Sequence, residues 1–561
     1  MHTADIVCLV LYLVVITGVG VWAARLVRNM RDFFMPRRFG KVMMITHSFG
    51  TGTHSDQAVS VASKTFAAGL SGIWYQWLWL FATPFYWLIA PVMRRFRAIT
   101  TGDVFEARFD RSVAGLFAIV GMLHLSFNVG VMLKGSGAVI EASTGLSATL
   151  AISVMTVLFV VYGVAGGLSA AIVTDFIQGI LTVVFSFILL PFALEAVGGM
   201  EGLHAKIADP KMFSLVAPGE IGVFYIVVIS LNALVGIVTQ PHTMGICGAG
   251  RTEMEGRVGF TGGTFVKRIC TMAWCLTGLA AVAYLAGRDV DPDQVYGIMA
   301  RDFLPQVLPG LLGVFLAALL ASVMSSCDSF MIASAGLFTE NVYKPLFPGR
   351  PDRHYLWVGR IVSLAVVGIG VATAFALPSV VKGLEWFWKI SPMMGIAFWL
   401  GLFWRRTTVA GAWAATLTGF AVLLLTSFGP VLEAIQGTGV SQWLGLVRET
   451  AGGLEMYLPW QMVFYLSAGV LAGIVVSLVT KPVAADKLDT FYALVRTPIA
   501  PGETVERPCT LPEGGEVPPR RPLLPWRDFE ILVPSVTSVI GFLAAWVIVG
   551  AMIAVFYVIT Q

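Results

Sequence analysis

Charge is what this chain has least of. Only 12% of its 561 residues are Asp, Glu, Lys or Arg, about half the share of a soluble globular protein. The formal net charge of +4 is too small to argue for a nucleic-acid partner, and no stretch marks an obligate protein partner. Cysteine is also scarce. The six (Cys8, Cys247, Cys270, Cys275, Cys327 and Cys509) have no CxxC or other ligand spacing, which excludes a disulfide framework and a cysteine metal site. Most lie in or beside apolar runs, where cysteine acts as a small hydrophobe. A cleavable leader is not expected either. The first apolar run, Ile6 to Ala24, lacks a basic start and is followed by arginines, so a retained membrane helix is expected.

What the chain has instead is apolar surface. Hydrophobic residues make up 57% and mean hydropathy is +0.80, so lipid is the natural solvent. Apolar windows of bilayer length predict about fourteen spans: 6–24, 42–66, 70–93, 113–133, 146–164, 169–196, 221–243, 265–286, 308–337, 357–377, 386–404, 410–427, 460–479 and 530–559. Hydropathy does not separate the fifth from the sixth, or the tenth from the eleventh.

Lysine and arginine crowd alternate loops. The first holds Arg25, Arg28, Arg31, Arg37, Arg38 and Lys41; the third holds Arg94, Arg95, Arg97, Arg108 and Arg111. Later alternate loops carry Arg251, Arg257, Lys344, Arg350, Arg353, Arg405 and Arg406, whereas Lys206, Lys211, Arg288, Arg301 and Arg448 are scattered over the others. Short cytoplasmic loops carry the positive excess, so both termini are expected outside a plasma (inner) membrane. The one sizeable polar stretch, Lys481 to Asp528, contains Pro498, Pro501, Pro508, Pro512, Pro518, Pro519, Pro522 and Pro525. That density predicts an extended cytoplasmic linker.

Transporters with internal repeats mark their sites by Gly- or Pro-interrupted helices at matching places in two halves. The second span contains Gly50-Thr51-Gly52-Thr53-His54-Ser55-Asp56-Gln57, and the seventh contains Gly236 to His242 with Pro241 inside it. Each is followed by four further spans, so two five-helix repeats are expected. Gly and Pro are commoner in membrane helices generally, but both interruptions are also rich in polar side chains. Asp56 and His54 are ionisable groups at membrane depth, hence functional candidates; Lys64 is placed to snorkel outward. In span nine, Ser322, Ser325 and Ser326 share one helix face, and oxygen ligands suit small hard cations. The competing reading is that these serines bond to their own carbonyls.

Four stretches resemble the sodium:solute symporter family, over roughly residues 5–480. Gly166-Gly167-Leu168-Ser169-Ala170 with Thr174-Asp175-Phe176-Ile177-Gln178-Gly179 matches one signature, and Ser322 to Ser329 with Thr339 to Lys344 matches its span-nine motif. Gly102 to Phe109 is similar to its cytoplasmic turn, and Gln240-Pro241-His242 resembles the proline, pantothenate and acetate branch. The resemblance implies an all-α membrane fold of leucine-transporter type. Its inverted repeats would occupy 41–200 and 201–407, behind a first helix and loop (1–40). Two further helices (408–480), the Pro-rich linker (481–528) and a last helix (529–561) would follow.

It also implies a sodium site between spans two and nine, with hydroxyls from Ser325 and Ser326 and the Ser322 carbonyl. The span-two ligands are Thr51 and His54 in one register, Gly50 and Thr53 in the other. Asp56 would support the ion. Asp175 is either a second cation position or a structural contact. Gln57, Gln76, Trp77, Asn128, Gln240 and His242 are the substrate candidates. Gln76 stands where sugar carriers have an acid, and Ile246 where the proline branch has an arginine. The expected activity is sodium-coupled import of a small polar solute, such as an amino acid or a carboxylate. A transporter-fold solute sensor is the alternative. No filter loop argues for a channel and no nucleophile–base motif for an enzyme.

Overall fold

A computed structural model describes residues 1–25, 33–217, 220–450, 453–500, 502–505, 507–512 and 514–561; Arg28, Arg31 and Pro501 lie outside these. The protein is a helical bundle. Helix α1 (Thr3–Ala24) leads to α2 (Lys41–Gly52) and α3 (Ser55–Ala68), the two arms of the interrupted second span. Thr53 and His54 between them are fully extended (φ −129°, ψ 111° and φ −137°, ψ 162°).

The expected third span is not one helix. A 3-10 turn at Gly69–Ile73, a single helical turn at Trp74–Trp77 and α4 (Thr83–Arg95) share it. Pro84 opens α4, where a missing N–H is harmless. Helices α5 (Thr101–Arg108) and α6 (Arg111–Thr144) follow. The inseparable fifth and sixth spans are two arms of α7 (Ala148–Phe187), which kinks at Gly167 (φ 58°, ψ −173°). Only glycine suits that backbone, and a Cβ there would also sit 2.5 Å from the Phe33 ring.

After α8 (Leu190–Val197) and α9 (Gly199–Lys206), α10 (Val223–Ile237) and α11 (His242–Gly248) bend by 71° at the second interruption. Pro241 precedes α11 as its N-cap. Helix α12 (Glu253–Tyr284) starts at a Thr252–Glu255 capping box, about three turns before its apolar run begins. Then come α13 (Val295–Val307), α14 (Leu311–Phe338), α15 (Asp352–Ala376) and α16 (Val380–Phe403). Ser379 caps α16 and so divides the tenth and eleventh spans.

Helix α17 (Val409–Leu425) is bent by 73° to α18 (Gly429–Gln436). Short α19 (Gly439–Leu444) and a hairpin of β1 (Val447–Thr450) and β2 (Gly453–Met456) precede α20 (Leu458–Val479). Helix α21 (Ala485–Arg496) and α22 (Val536–Thr560) complete the chain. Eight described helices are long and apolar enough to cross a membrane, ten if each bent pair is one span. The outward faces are apolar, as with Leu11 and Val14 on α1 and Leu543 and Val547 on α22; lipid-facing helices look like this.

The cation-rich loops meet on one face. Arg94 donates to the Gly250 carbonyl, Arg95 pairs with Glu253, and Arg108 reaches carbonyls of Gly401, Trp404, Arg405 and Thr407. The Pro-rich stretch is less extended than its composition suggests. Helix α21 docks there through Phe491 stacked on Phe96 (5.5 Å) and Tyr492 donating to the Gly401 carbonyl. Glu503 pairs with buried Arg97 at 2.5 Å, and the Glu530 N–H donates to the Phe403 carbonyl. Buried aromatic anchors outweigh what proline density alone implies.

Candidate functional site

Helix α14 crosses the end of α2 with its serine face turned toward the break. Ser326 Oγ donates to the Gly50 carbonyl at 3.1 Å and lies 3.2 Å from the Ser322 carbonyl. Ser325 Oγ donates to Asp175 Oδ1, and the other oxygen of Asp175 lies 2.6 Å from His47 Nδ1. Of the three serines only Ser322 bonds solely within its own helix, to the Leu319 carbonyl at 2.7 Å. A Cβ at position 50 would come within 2.6 Å of Ser325 Oγ and 3.6 Å of Asp175, so glycine is what allows this approach. The result is a buried cluster of oxygens of the kind that holds a hard cation.

The rest of the second span faces other partners. Thr51 Oγ1 is 2.9 Å from Ser329 Oγ and 3.2 Å from His47. His54 Nδ1 bonds Asp56 Oδ1, and His54 Nε2 is 3.0 Å from the Gln57 amide. Thr53 Oγ1 is buried and finds no hydrogen-bond partner among the described residues, like Asp56 Oδ2. Lys64 lies over the Tyr75 ring (5.1 Å), away from Asp56.

Beside the break lies a cavity of about 60 Å³. His54, Gln57, Asn128, Gln240 and His242 line it, together with Trp79, Lys267, Arg268, Phe330 and Phe387. Gln57 Oε1, Asn128 Oδ1 and His242 Nδ1 lack partners among the described residues. Two further cavities flank it. A vestibule of about 430 Å³ lies between Tyr75, Glu385, Lys389 and the β1–β2 hairpin. Trp388 separates it from the centre, with its ring 5.1 Å from Tyr75 and 6.2 Å from Trp79. Toward the cation-rich face, a small chamber shares His242 with the centre and has Phe34 and Met35 in its wall.

Among sequences, the model of the sodium:solute symporter family matches residues 33–419. The chain belongs to that family. It is therefore a membrane transporter and not an enzyme, and sodium-coupled solute transport is its class of activity. The osmoregulated proline transporter OpuE of Bacillus subtilis is 27% identical over 502 residues, 85% of this chain and 95% of the relative. The sodium/pantothenate symporter of Haemophilus influenzae is 25% identical over 472 residues, 81% and 96% of the two chains. In structure, a Na+-coupled sialic acid symporter in a substrate-bound, outward-open state superposes with a TM-score of 0.71 at 17% identity, covering 85% of this chain and 98% of the other. A nucleobase-cation-symport-1 family transporter in a closed conformation gives 0.51 at 12% identity, covering 83% and 99%.

Within this symporter, two substrate candidates sit off the cavity. Trp77 packs on Phe556 of α22 (5.5 Å) and donates to the Arg268 carbonyl. Gln76 is fully buried, with its side-chain amide unpartnered among the described residues and its carbonyl accepting from Arg268. The helical turn there brings Trp79, two residues on, to the cavity instead. Lys267 and Arg268 are the residues that sequence reading missed. Hydropathy starts that span at 265, which makes them look interfacial. The capping box starts it at 253, which puts them about 21 Å along the helix at 1.5 Å per residue.

Proposed function

We propose that this symporter imports a small polar organic solute, an amino acid, a carboxylate or a similar molecule, by alternating access driven by sodium. The observation that carries the reading is the bond between α14 and the last turn of α2, Ser326 to the Gly50 carbonyl, directly beside the central cavity. Sodium takes the place of those hydrogen bonds, ligated by the Gly50 carbonyl, the Ser325 and Ser326 hydroxyls and the Ser322 carbonyl. Thr53, with its unspent hydroxyl, completes the set. The register of Gly50 and Thr53 is favoured over that of Thr51 and His54, whose side chains are already engaged. Asp175, hydrogen-bonded to Ser325, supplies the negative charge nearest the ion. Asp56 steadies the break through His54.

The ion ties α2 to α14 and orders the break around the solute, held by Gln57, Asn128, Gln240 and His242. The fold is read as fourteen spans, with α7 counted twice about Gly167. Spans two to eleven form two five-helix inverted repeats, with one helix before and three after. The cation-rich face is then cytoplasmic, both termini are external, and the membrane is the plasma membrane.

The test is uptake into proteoliposomes under an inward sodium gradient, with Ser325→Ala/Ser326→Ala as the variant. Each lost ligand is expected to raise half-saturating sodium about tenfold, or ~1.4 kcal/mol. An unchanged sodium dependence removes the pair from the site.

A further inference from the structure

The central cavity contains a charge imbalance that sodium does not explain. Lys267 and Arg268 both line it, and both are buried, at 8% and 2% exposure. They flank one ring: Lys267 Nζ lies 5.5 Å and Arg268 Cζ 5.7 Å from the centre of Trp79. Their hydrogen bonds go to backbone carbonyls, Lys267 to Gly52 and Arg268 to Gln76. Neither forms a salt bridge among the described residues, and Arg268 Nε has no partner there at all. No Asp or Glu is among the described residues that line the cavity with them. Two basic side chains thus share one cavity wall without an acid opposite them.

We infer that the solute carries a carboxylate, gripped by the Lys267 ammonium and the Arg268 guanidinium above Trp79. This rests on the symport reading and narrows its solute. Cations at membrane depth are expensive unless paired, and a negative charge on the solute supplies the partner that the cavity wall lacks. A guanidinium offers the planar fork a carboxylate fits, while an ammonium adds a point charge. A cationic solute would be repelled here, and a neutral polyol would leave both cations uncompensated. The free oxygens of Gln57 and Asn128 remain to accept from the solute's hydroxyl or amino groups.

The space fits a small acid. A volume of about 60 Å³ holds roughly four to six water-sized groups at about 10–15 Å³ each. The route in agrees. The vestibule walls carry Lys64, Lys382, Lys389 and Arg448 against Glu220, Glu385 and Glu455, and a slight positive excess draws anions rather than excluding them.

The test uses the purified full chain in proteoliposomes under a sodium gradient. Labelled pyruvate, L-lactate and L-proline serve as probes, each competed with its own amide and with myo-inositol. Binding is followed in parallel by the rise in melting temperature. At least one acid is expected to accumulate, with its amide competing at least 100-fold more weakly. Lys267→Met should weaken that acid at least tenfold, and Lys267→Arg should recover most of the loss. Equal competition by acids and amides, preference for myo-inositol, or no response to any acid overturns the assignment. Unaltered acid affinity in a folded Lys267→Met protein does so too. If that variant does not fold, the acid-to-amide ratio of the unaltered chain decides. Sodium-driven uptake of neutral solutes alone would overturn the carboxylate and leave symport standing. Acid-selective binding without sodium-driven accumulation would do the reverse.

Discussion

The two sides of the broken second span, α2 and α3, are built from opposite chemistry. Toward α14 and α7 it meets oxygens that can serve as acceptors for a cation, the Ser325 and Ser326 hydroxyls and Asp175, beside its own Gly50 carbonyl. Toward α12 it meets donors, with Lys267 reaching the Gly52 carbonyl and Arg268 close behind on Trp79. The Gly50 and Gly52 carbonyls belong to the last turn of α2, yet one faces the proposed ion ligands and the other Lys267. A single interruption can therefore serve an ion and a solute of opposite sign. On the proposed reading, the extended Thr53–His54 backbone couples the two.

The largest effect expected on this contrast comes from closing the acceptor side. Gly50→Ala puts a methyl 2.6 Å from Ser325 Oγ, well inside van der Waals contact, and should abolish sodium-driven uptake while the protein still reaches the membrane. Normal transport in that variant, measured against surface expression, would mean that α2 and α14 do not meet through Gly50. Next in size is the Asp175→Asn exchange, which keeps shape and removes charge. Half-saturating sodium should rise by about ten- to a hundredfold, the range of ~1.4–2.7 kcal/mol. Poor expression with unaltered sodium affinity would instead make Asp175 a structural contact to His47.

Asp56→Asn tests whether the two sides are coupled. It should insert normally, need about tenfold more sodium, and retain uptake at saturating sodium. Instability at every sodium concentration would mark a purely structural pair with His54. Uptake as strong as the unaltered protein's at low sodium would leave Asp56 outside the mechanism.

The smallest effect belongs to the Arg97–Glu503 contact, far from both sides. Burial alone would raise the Glu503 carboxyl, but the Arg97 guanidinium and the Ala500 amide together hold it below its usual range. A depressed acid stabilises docking fully above its unfolded value, about 4.3, and loses that contribution as pH falls through its lower folded value. Glu503→Gln should therefore lower the melting temperature slightly at neutral pH, and the difference from the unaltered chain should shrink progressively as pH falls below about 4. A constant difference across that range would show that the charge does not matter. Sidedness is checked on the same segment: a cysteine at Gly515 should escape an impermeant reagent applied to sealed cells, and ready labelling would invert the orientation.

Much of this was legible one residue at a time. Glycine and proline punctuation located both interruptions within a residue or two, because those residues break helices wherever they stand. The serine face followed from spacing along a single helix. Asp175 was legible as a motif, but its junction with His47 and Ser325 was not, since 128 and 150 residues separate them in sequence. Trp77 was a candidate by motif, and the turn geometry of residues 74–82 puts Trp79 in the cavity wall in its stead. The docking of α21 was hidden behind prolines, because composition reports chain stiffness and not what Phe491 and Tyr492 find to pack against.

By itself the sequence determined the solvent, the helices, the breaks and the family, all of which depend on local composition and on patterns along one strand of chain. Tertiary structure decided which side chains of different helices share a space. It set the Gly50 carbonyl against Ser326, and carried Lys267 and Arg268 from an apparent membrane edge into the central cavity. Hydropathy averages over a window and measures transfer to lipid. A charged pair placed mid-helix against a cavity and an aromatic ring never meets lipid, so only the fold could assign it.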